Sequence, residues 1–525
     1  MNRRAFLHRS VAAGTLLGTL PRSWAAPASS DPSGPVVETT AGKIRGGMED
    51  RVAAFRGIPY GASTAGSARF MPPAKPQSWA GVKDCIELGH RSPQAASGLI
   101  PEVAAVDAQE PAGEDCLVLN VWTPSATHEH KRPVMVWLHG GGFTSGSGGF
   151  KIYDGVNLAG RHDVVVVTVN HRLNAFGYLY LADLGGAKFA SSSNVGMLDL
   201  VAALQWVHDN IANFGGDPGN VTIFGQSGGG AKVSTLLAMP AAKGLFHRAV
   251  IESGASLRGI PRDAANKNTE SFLAKVGLKP NQIDQLQTVP VDRLTQALAG
   301  GRFGAVVDDK TLPSNPFDPT APEISANVPL LIGTTQTEVT FFAGQQLDPI
   351  DEATARQRIK QNFHIGDADA DKIVAAYKHV DPEISDIDLY LESASDSFAW
   401  TNALKAAERK AALGKAPVYM YYFSWRSPVR EGKLKAMHCM EIPFVFDNPD
   451  AGKPMTGSGE DRYALAAKVS GAWAAFARTG NPSQQGLAWP SYDSSQRATM
   501  ILDRKCEVVD DPRKEIRFAL ATLPA

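Results

Sequence analysis

Val221-Thr222-Ile223-Phe224-Gly225-Gln226-Ser227-Gly228-Gly229-Gly230 is the stretch that decides how this chain is read. Four residues of buried-strand character run into a sharp, glycine-flanked turn. A helix-competent segment, Ala231 to Met239, follows it. A strand, a tight turn and a helix in this order hold a serine hydroxyl proud of a sheet edge, beside a helix N-terminus. Small residues are required there, because side chains two positions either side of the serine would collide across the turn.

Working outward, Val134–Leu138 and Val164–Val169 are nearly continuous in apolar residues, as strands buried on both faces are. Short strands are expected at Val36–Thr40 and Val52–Phe55. Between Asn194 and Phe214, the residues Met197, Leu200, Val201, Leu204, Val207 and Ile211 recur at helical spacing. Ala249-Val250-Ile251 and the later segments Pro329–Gly333, Val418–Phe423 and Met500–Leu502 read as further strands. Buried strands alternating with amphipathic helices predict an α/β fold, a large mostly parallel sheet with helices on both faces. Two stretches break the rhythm, 257–327 and 342–416. They read as helical insertions capping the carboxyl ends of the strands, where ligands bind in such sheets.

The chain has 525 residues, 43% hydrophobic and 20% charged, which describes an ordinary soluble globular protein. Its start reads differently. Asn2-Arg3-Arg4-Ala5-Phe6-Leu7 and the short apolar run Val11–Leu20 predict a twin-arginine signal peptide over residues 1–26, cut near Ala25 or Ala26. A polar linker, 27–34, leads into a single catalytic domain over 35–525. The expected destination is the periplasm or the exterior. Removing residues 1–25 takes away four arginines and no acids, moving the formal charge from −1 to −5. A mildly acidic chain without a basic run argues against nucleic-acid and anionic-membrane binding, and with no later segment long and apolar enough for a membrane helix no stable membrane anchor is expected. Cys85, Cys116, Cys439 and Cys506 show no zinc-site spacing, and an oxidising compartment would permit one or two disulfides.

A serine hydroxyl is a poor nucleophile without a base in reach and without donors aimed at the oxygen that becomes negative. His139-Gly140-Gly141-Gly142-Phe143 follows the strand ending at Leu138, and its glycines let backbone N–H groups converge on one spot. Gly141 and Gly142 are the expected oxyanion donors, with Gly228 the third. No Gly-Lys-Ser/Thr follows, so the run is not a phosphate cradle. His438, in a loop after the strand Val418–Phe423, is the candidate base. Glu338, after the strand Pro329–Gly333, is the candidate acid. Their order along the chain, nucleophile then acid then base, is the one this layout uses.

Taken together these residues resemble the type-B carboxylesterases, the α/β-hydrolase family that includes the cholinesterases. Phe55-Arg56-Gly57-Ile58-Pro59-Tyr60, Arg69-Phe70-Met71-Pro72-Pro73, Glu114 to Trp122 and Asn213-Phe214-Gly215-Gly216-Asp217-Pro218 are similar to its ordered signatures. The resemblance runs from about residue 35 to the C-terminus. It implies a triad of Ser227, Glu338 and His438, and it implies that Ser253 lies near the acid. Gly-Gln-Ser-Gly-Gly stands where the family usually has Gly-Glu-Ser-Ala-Gly, so Gln226 removes a negative charge and makes a choline ester a poorer substrate. Cys116 matches the family's first disulfide, but the usual partner position is Ser92. That leaves Cys85 as a substitute partner or Cys116 as a free thiol. Cys439, beside the base where glycine is usual, is expected to be a packed free thiol.

The resulting expectation is an exported serine carboxylesterase working through an acyl-enzyme on a small ester, as a monomer or homodimer. No metal or organic cofactor is expected. An amidase, a carbamate hydrolase or a lactonase would use the same machinery. A binding protein related to the cholinesterases would lack the nucleophile that this chain keeps. The substrate pocket is expected from residues 98–113, 257–327 and 342–400, with Phe143, Phe341, Phe342, Phe398 and Trp400 as candidate lining.

Overall fold

A computed structural model describes residues 34–523 apart from 97, 128 and 344–346. The expected export signal, 1–26, and all but the last residue of the expected linker lie outside the described residues. In chain order the strands are β1 (Val36–Thr39), β2 (Gly42–Arg45), β3 (Gly47–Glu49), β4 (Val52–Pro59), β5 (Val82–Asp84), β6 (Val118–Thr123), β7 (Arg132–Leu138), β8 (Val165–Val169), β9 (Gly216–Gln226), β10 (Arg248–Glu252), β11 (Leu330–Thr335), β12 (Val418–Phe423), β13 (Ala498–Leu502) and β14 (Glu507–Asp510). Eleven of them form one sheet in the order β14-β13-β12-β11-β10-β9-β7-β8-β6-β4-β3. From β13 to β8 every pairing is parallel, and only the two ends are antiparallel. β1, β2 and β5 make a small separate sheet.

The apolar runs explain this arrangement. In β7, Val134, Val136 and Leu138 pack into the core on one face of the sheet, whereas Met135 and Trp137 pack into the core on the other. β8 does the same, with Val165, Val167 and Val169 facing one side and Val166 the other. A strand with both faces covered has no polar alternation to show, which is why it reads as continuous.

Most element readings hold with shifted ends. The helix expected from Ala231 begins directly at Gly228, and the one expected over 194–214 is Val195–Asn210 followed by a tighter turn, Ile211–Phe214. The stretch 257–327 carries helices Arg262–Val276 and Val291–Gln296. The stretch 342–416 carries Glu352–Phe363, Asp367–Val380, Asp386–Ser395 and Thr401–Ala412. Among the described residues no helix is long and apolar enough to cross a membrane.

The cysteines need a correction. All four are free thiols, so the Cys85–Cys116 bridge is not formed. Cys116 is fully buried and its thiol is engaged with Ser92, the residue at the usual partner position.

Candidate active site

Every candidate residue follows the carboxyl end of a sheet strand. Ser227 follows β9 and adopts φ +57°, ψ −123°, a conformation L-residues rarely hold. Its N–H donates to the Glu252 carbonyl (2.8 Å) at the end of β10. The tightness of the turn can be measured by adding side chains. A Cβ on Gly225 would lie 2.6 Å from the Leu138 carbonyl oxygen, and one on Gly229 only 1.9 Å from it. The end of β7 therefore crosses the turn at a distance only glycine permits.

The glycine loop after β7 lies against this turn. Gly141 and Gly142 have φ of +83° and +63°. The Gly141 carbonyl accepts from the N–H groups of Thr144 (3.2 Å) and Ser145 (3.1 Å). The N–H groups of Gly141 and Gly142 have no acceptor among the described residues. Gly228 opens the helix Gly228–Ala238, so its N–H has no intrahelical partner either. Its Cα packs on Gly142: a Cβ at Gly228 would sit 2.1 Å from the Gly142 oxygen.

His438 and Glu338 meet. Nδ1 of His438 lies 2.5 Å from Oε2 of Glu338, with both side chains buried. The other carboxylate oxygen accepts from the Thr335 N–H (2.9 Å), and the His438 N–H donates to the Glu338 carbonyl (3.3 Å). With Nδ1–H donated to the carboxylate, Nε2 is left as the basic nitrogen. The expected bond between the Ser227 hydroxyl and His438 is not among the hydrogen bonds of the described residues. Nε2 of Gln226 lies 3.2 Å from Nδ1 and 3.3 Å from Nε2 of the imidazole, so this amide competes for the position.

Ser253 follows β10 directly. Its N–H is tied to the end of β11, at the Gly333 carbonyl (2.9 Å), but its hydroxyl donates to Glu441 (3.4 Å) and not to Glu338. Glu441 and Glu252 are the residues the sequence did not single out. Both are fully buried, and each leaves one carboxyl oxygen without a partner. Glu252 accepts from the indole N–H of Trp473 (2.7 Å). Burial pushes Glu252 up to about 8. It pushes Glu441 well above the usual carboxylate range, reinforced by the charges of Glu338 and Glu252.

Ser227, Gly141, Gly142 and His438 open on one cavity of about 620 Å³. Leu99 and Val103, Phe303, and Phe341 with Phe342 line it, so the stretch 98–113 and both insertions or their edges reach the site. The rings of Phe341, Phe342 and Phe398 stand 5.7, 5.6 and 5.6 Å from the imidazole. Phe342 and Phe398 remain 57% and 45% exposed, a large apolar surface left at the rim. Cys439 also lines the cavity. Its thiol donates to Gln226 Oε1 (3.3 Å), and burial holds it well above the usual thiol range, which makes it a poor nucleophile.

A parallel sheet of this order, a serine at a strained strand-to-helix turn and a buried imidazole–carboxylate pair define an α/β-hydrolase. A model of the carboxylesterase family matches residues 33–519. The para-nitrobenzyl esterase of Bacillus subtilis (strain 168) is 37% identical, over 92% of this chain and 98% of that protein. Liver carboxylesterase 1 of Oryctolagus cuniculus is 34% identical, over 87% of this chain and 88% of the relative. A solved structure of PNB esterase superposes with a TM-score of 0.81 at 35% identity, covering 93% of this chain and 99% of that one. The chain belongs to the carboxylesterase family and is a carboxylic ester hydrolase.

Proposed function

We propose that Ser227, His438 and Glu338 carry out ester hydrolysis through an acyl-enzyme. The observation that carries this reading is the 2.5 Å His438–Glu338 pair opening, with the strained Ser227, on one cavity. Ser227 attacks the ester carbonyl while Nε2 of His438 takes its proton. Glu338 holds the tautomer and stabilises the imidazolium. The N–H groups of Gly141, Gly142 and Gly228 receive the developing oxyanion, each donor contributing on the order of 100- to 1000-fold in rate. His438 then protonates the leaving alcohol, and water releases the acid by the same steps. Bonds between nucleophile and base are often long in unliganded hydrolases and tighten with substrate. Displacement of the Gln226 amide from Nε2 would make that room.

The cavity volume and the aromatic rim favour small esters carrying an apolar or aromatic group. The N-terminal motif supports export by the twin-arginine route, and N-terminal sequencing of the mature protein tests it. For the chemistry, a fluorophosphonate probe should label Ser227. Ser227→Ala should abolish labelling and lower kcat about 10⁴-fold or more. A folded wild-type protein that neither labels nor turns over p-nitrophenyl esters would remove the triad. Matched ester and amide substrates separate the esterase from the amidase reading.

A further inference from the structure

The helix that begins beside Ser227 carries a lysine cut off from water. Lys232 is fully buried. Its Nζ donates to the carbonyl of His139 (2.9 Å) and lies 5.6 Å from the ring centroid of Phe143. Those two residues bracket Gly140, Gly141 and Gly142. One side chain on the nucleophile's helix therefore grips both ends of the glycine loop.

Among the described residues no carboxylate pairs with it. The groups that face it are the imidazoles of His139 and His171, stacked at 4.9 Å and both pushed well below the usual histidine range by burial and by the lysine itself. Asp199 is closed off by Arg172 (2.6 Å), and Glu252 is bonded to Trp473. Burial alone pushes Lys232 down to about 7. Placing an amine here without a counter-charge costs stability, and a methionine would fill similar space without that cost. The contact between Gly142 and Gly228 is the second observation. The loop is drawn onto the helix so closely that residue 228 has no room for a methyl group.

We propose that Lys232 is a positioning residue: it clamps the His139 carbonyl and the Phe143 ring to the nucleophile's helix and so fixes the Gly141 and Gly142 N–H groups relative to Ser227. The ammonium and the neutral amine can both donate to a carbonyl, so the clamp holds in either charge state. This inference rests on the acyl-enzyme reading above.

The test compares wild type, Lys232→Met and Lys232→Gln on p-nitrophenyl butyrate, with inhibition by a trifluoromethyl ketone that forms an oxyanion on the serine. Wild-type turnover and probe labelling come first; their absence would sink the triad, not the clamp. Lys232→Met should lower kcat about 10- to 100-fold and weaken the ketone by a similar factor, with KM changed less than about threefold. Lys232→Gln, which keeps a donor, should recover part of both. A purely structural lysine would lower the melting temperature and leave kcat and the ketone constant alone. A folded Lys232→Met with wild-type kcat, or a loss confined to KM, overturns the proposal. Should Lys232→Met not fold, an unchanged kcat and ketone constant in Lys232→Gln overturns it instead.

Discussion

At position 228 a single methyl group separates this chain from the usual pattern of its family. The structure gives the reason: the Gly142 carbonyl occupies the space where that methyl would lie. Gly228→Ala should therefore push the glycine loop away from Ser227 and lower kcat about 10- to 100-fold, with a smaller effect on KM. Steady-state kinetics on one ester checks it; an unchanged kcat would mean the loop yields freely. Ser227, Glu338 and His438 were legible because motif, order and strand position all select them. Lys232, Glu252 and Glu441 were not. A charged residue that ends up buried looks in sequence like any solvated one, and only packing from distant strands tells them apart. Ser253 shows the same limit: its neighbourhood was readable, its hydrogen-bond partner was not.

Among elements, β10 brings the clearest consequence, because it ends on Glu252, whose carbonyl accepts from the Ser227 N–H. Burial pushes the Glu252 carboxyl up from an ordinary value near 4.5 to about 8. The folded state thus holds a proton that the unfolded chain has released. That contribution is complete below about pH 4.5 and is lost as pH rises through about 8. Glu252→Gln keeps an acceptor for Trp473 and removes the titration. Its melting temperature should match wild type near pH 5 and exceed it near pH 9. Equal temperatures at both values would show that the group is not buried as described. The strands themselves were easier to read than this acid. β12 has the expected bounds, because six apolar or aromatic residues buried on both faces leave little to misread. β6, equally buried, was noticed only as a signature, since Asn120 interrupts its run and turns inward to bond Thr168 (2.9 Å).

For the whole molecule, the sheet alone provides the rigid frame, and no cross-link assists it. Burial pushes Cys85 up to about 11 and Cys116 up to about 12, so neither forms appreciable thiolate near pH 8. Iodoacetamide should leave both unmodified in the native protein. After unfolding without reductant, all four cysteines should alkylate. Intact mass reads the outcome, and a pair that stays protected in denaturant would restore the disulfide. The parallel architecture was readable from its apolar runs. The segments that wall the cavity, 98–113, 257–327 and the residues after β11, were readable too; which of their side chains face it was not, because they meet only once the sheet has ordered the ends of its strands.

The twisted backbone at Ser227 survives only while the Leu138 end of β7, the Glu252 end of β10 and the glycine loop press on it together. If Ser227 is the nucleophile proposed above, reactivity is the last property the chain acquires. On that reading a nascent or misassembled copy carries an ordinary alcohol that no ester acylates, and the appearance of turnover is itself a certificate that distant parts of the polypeptide have found one another.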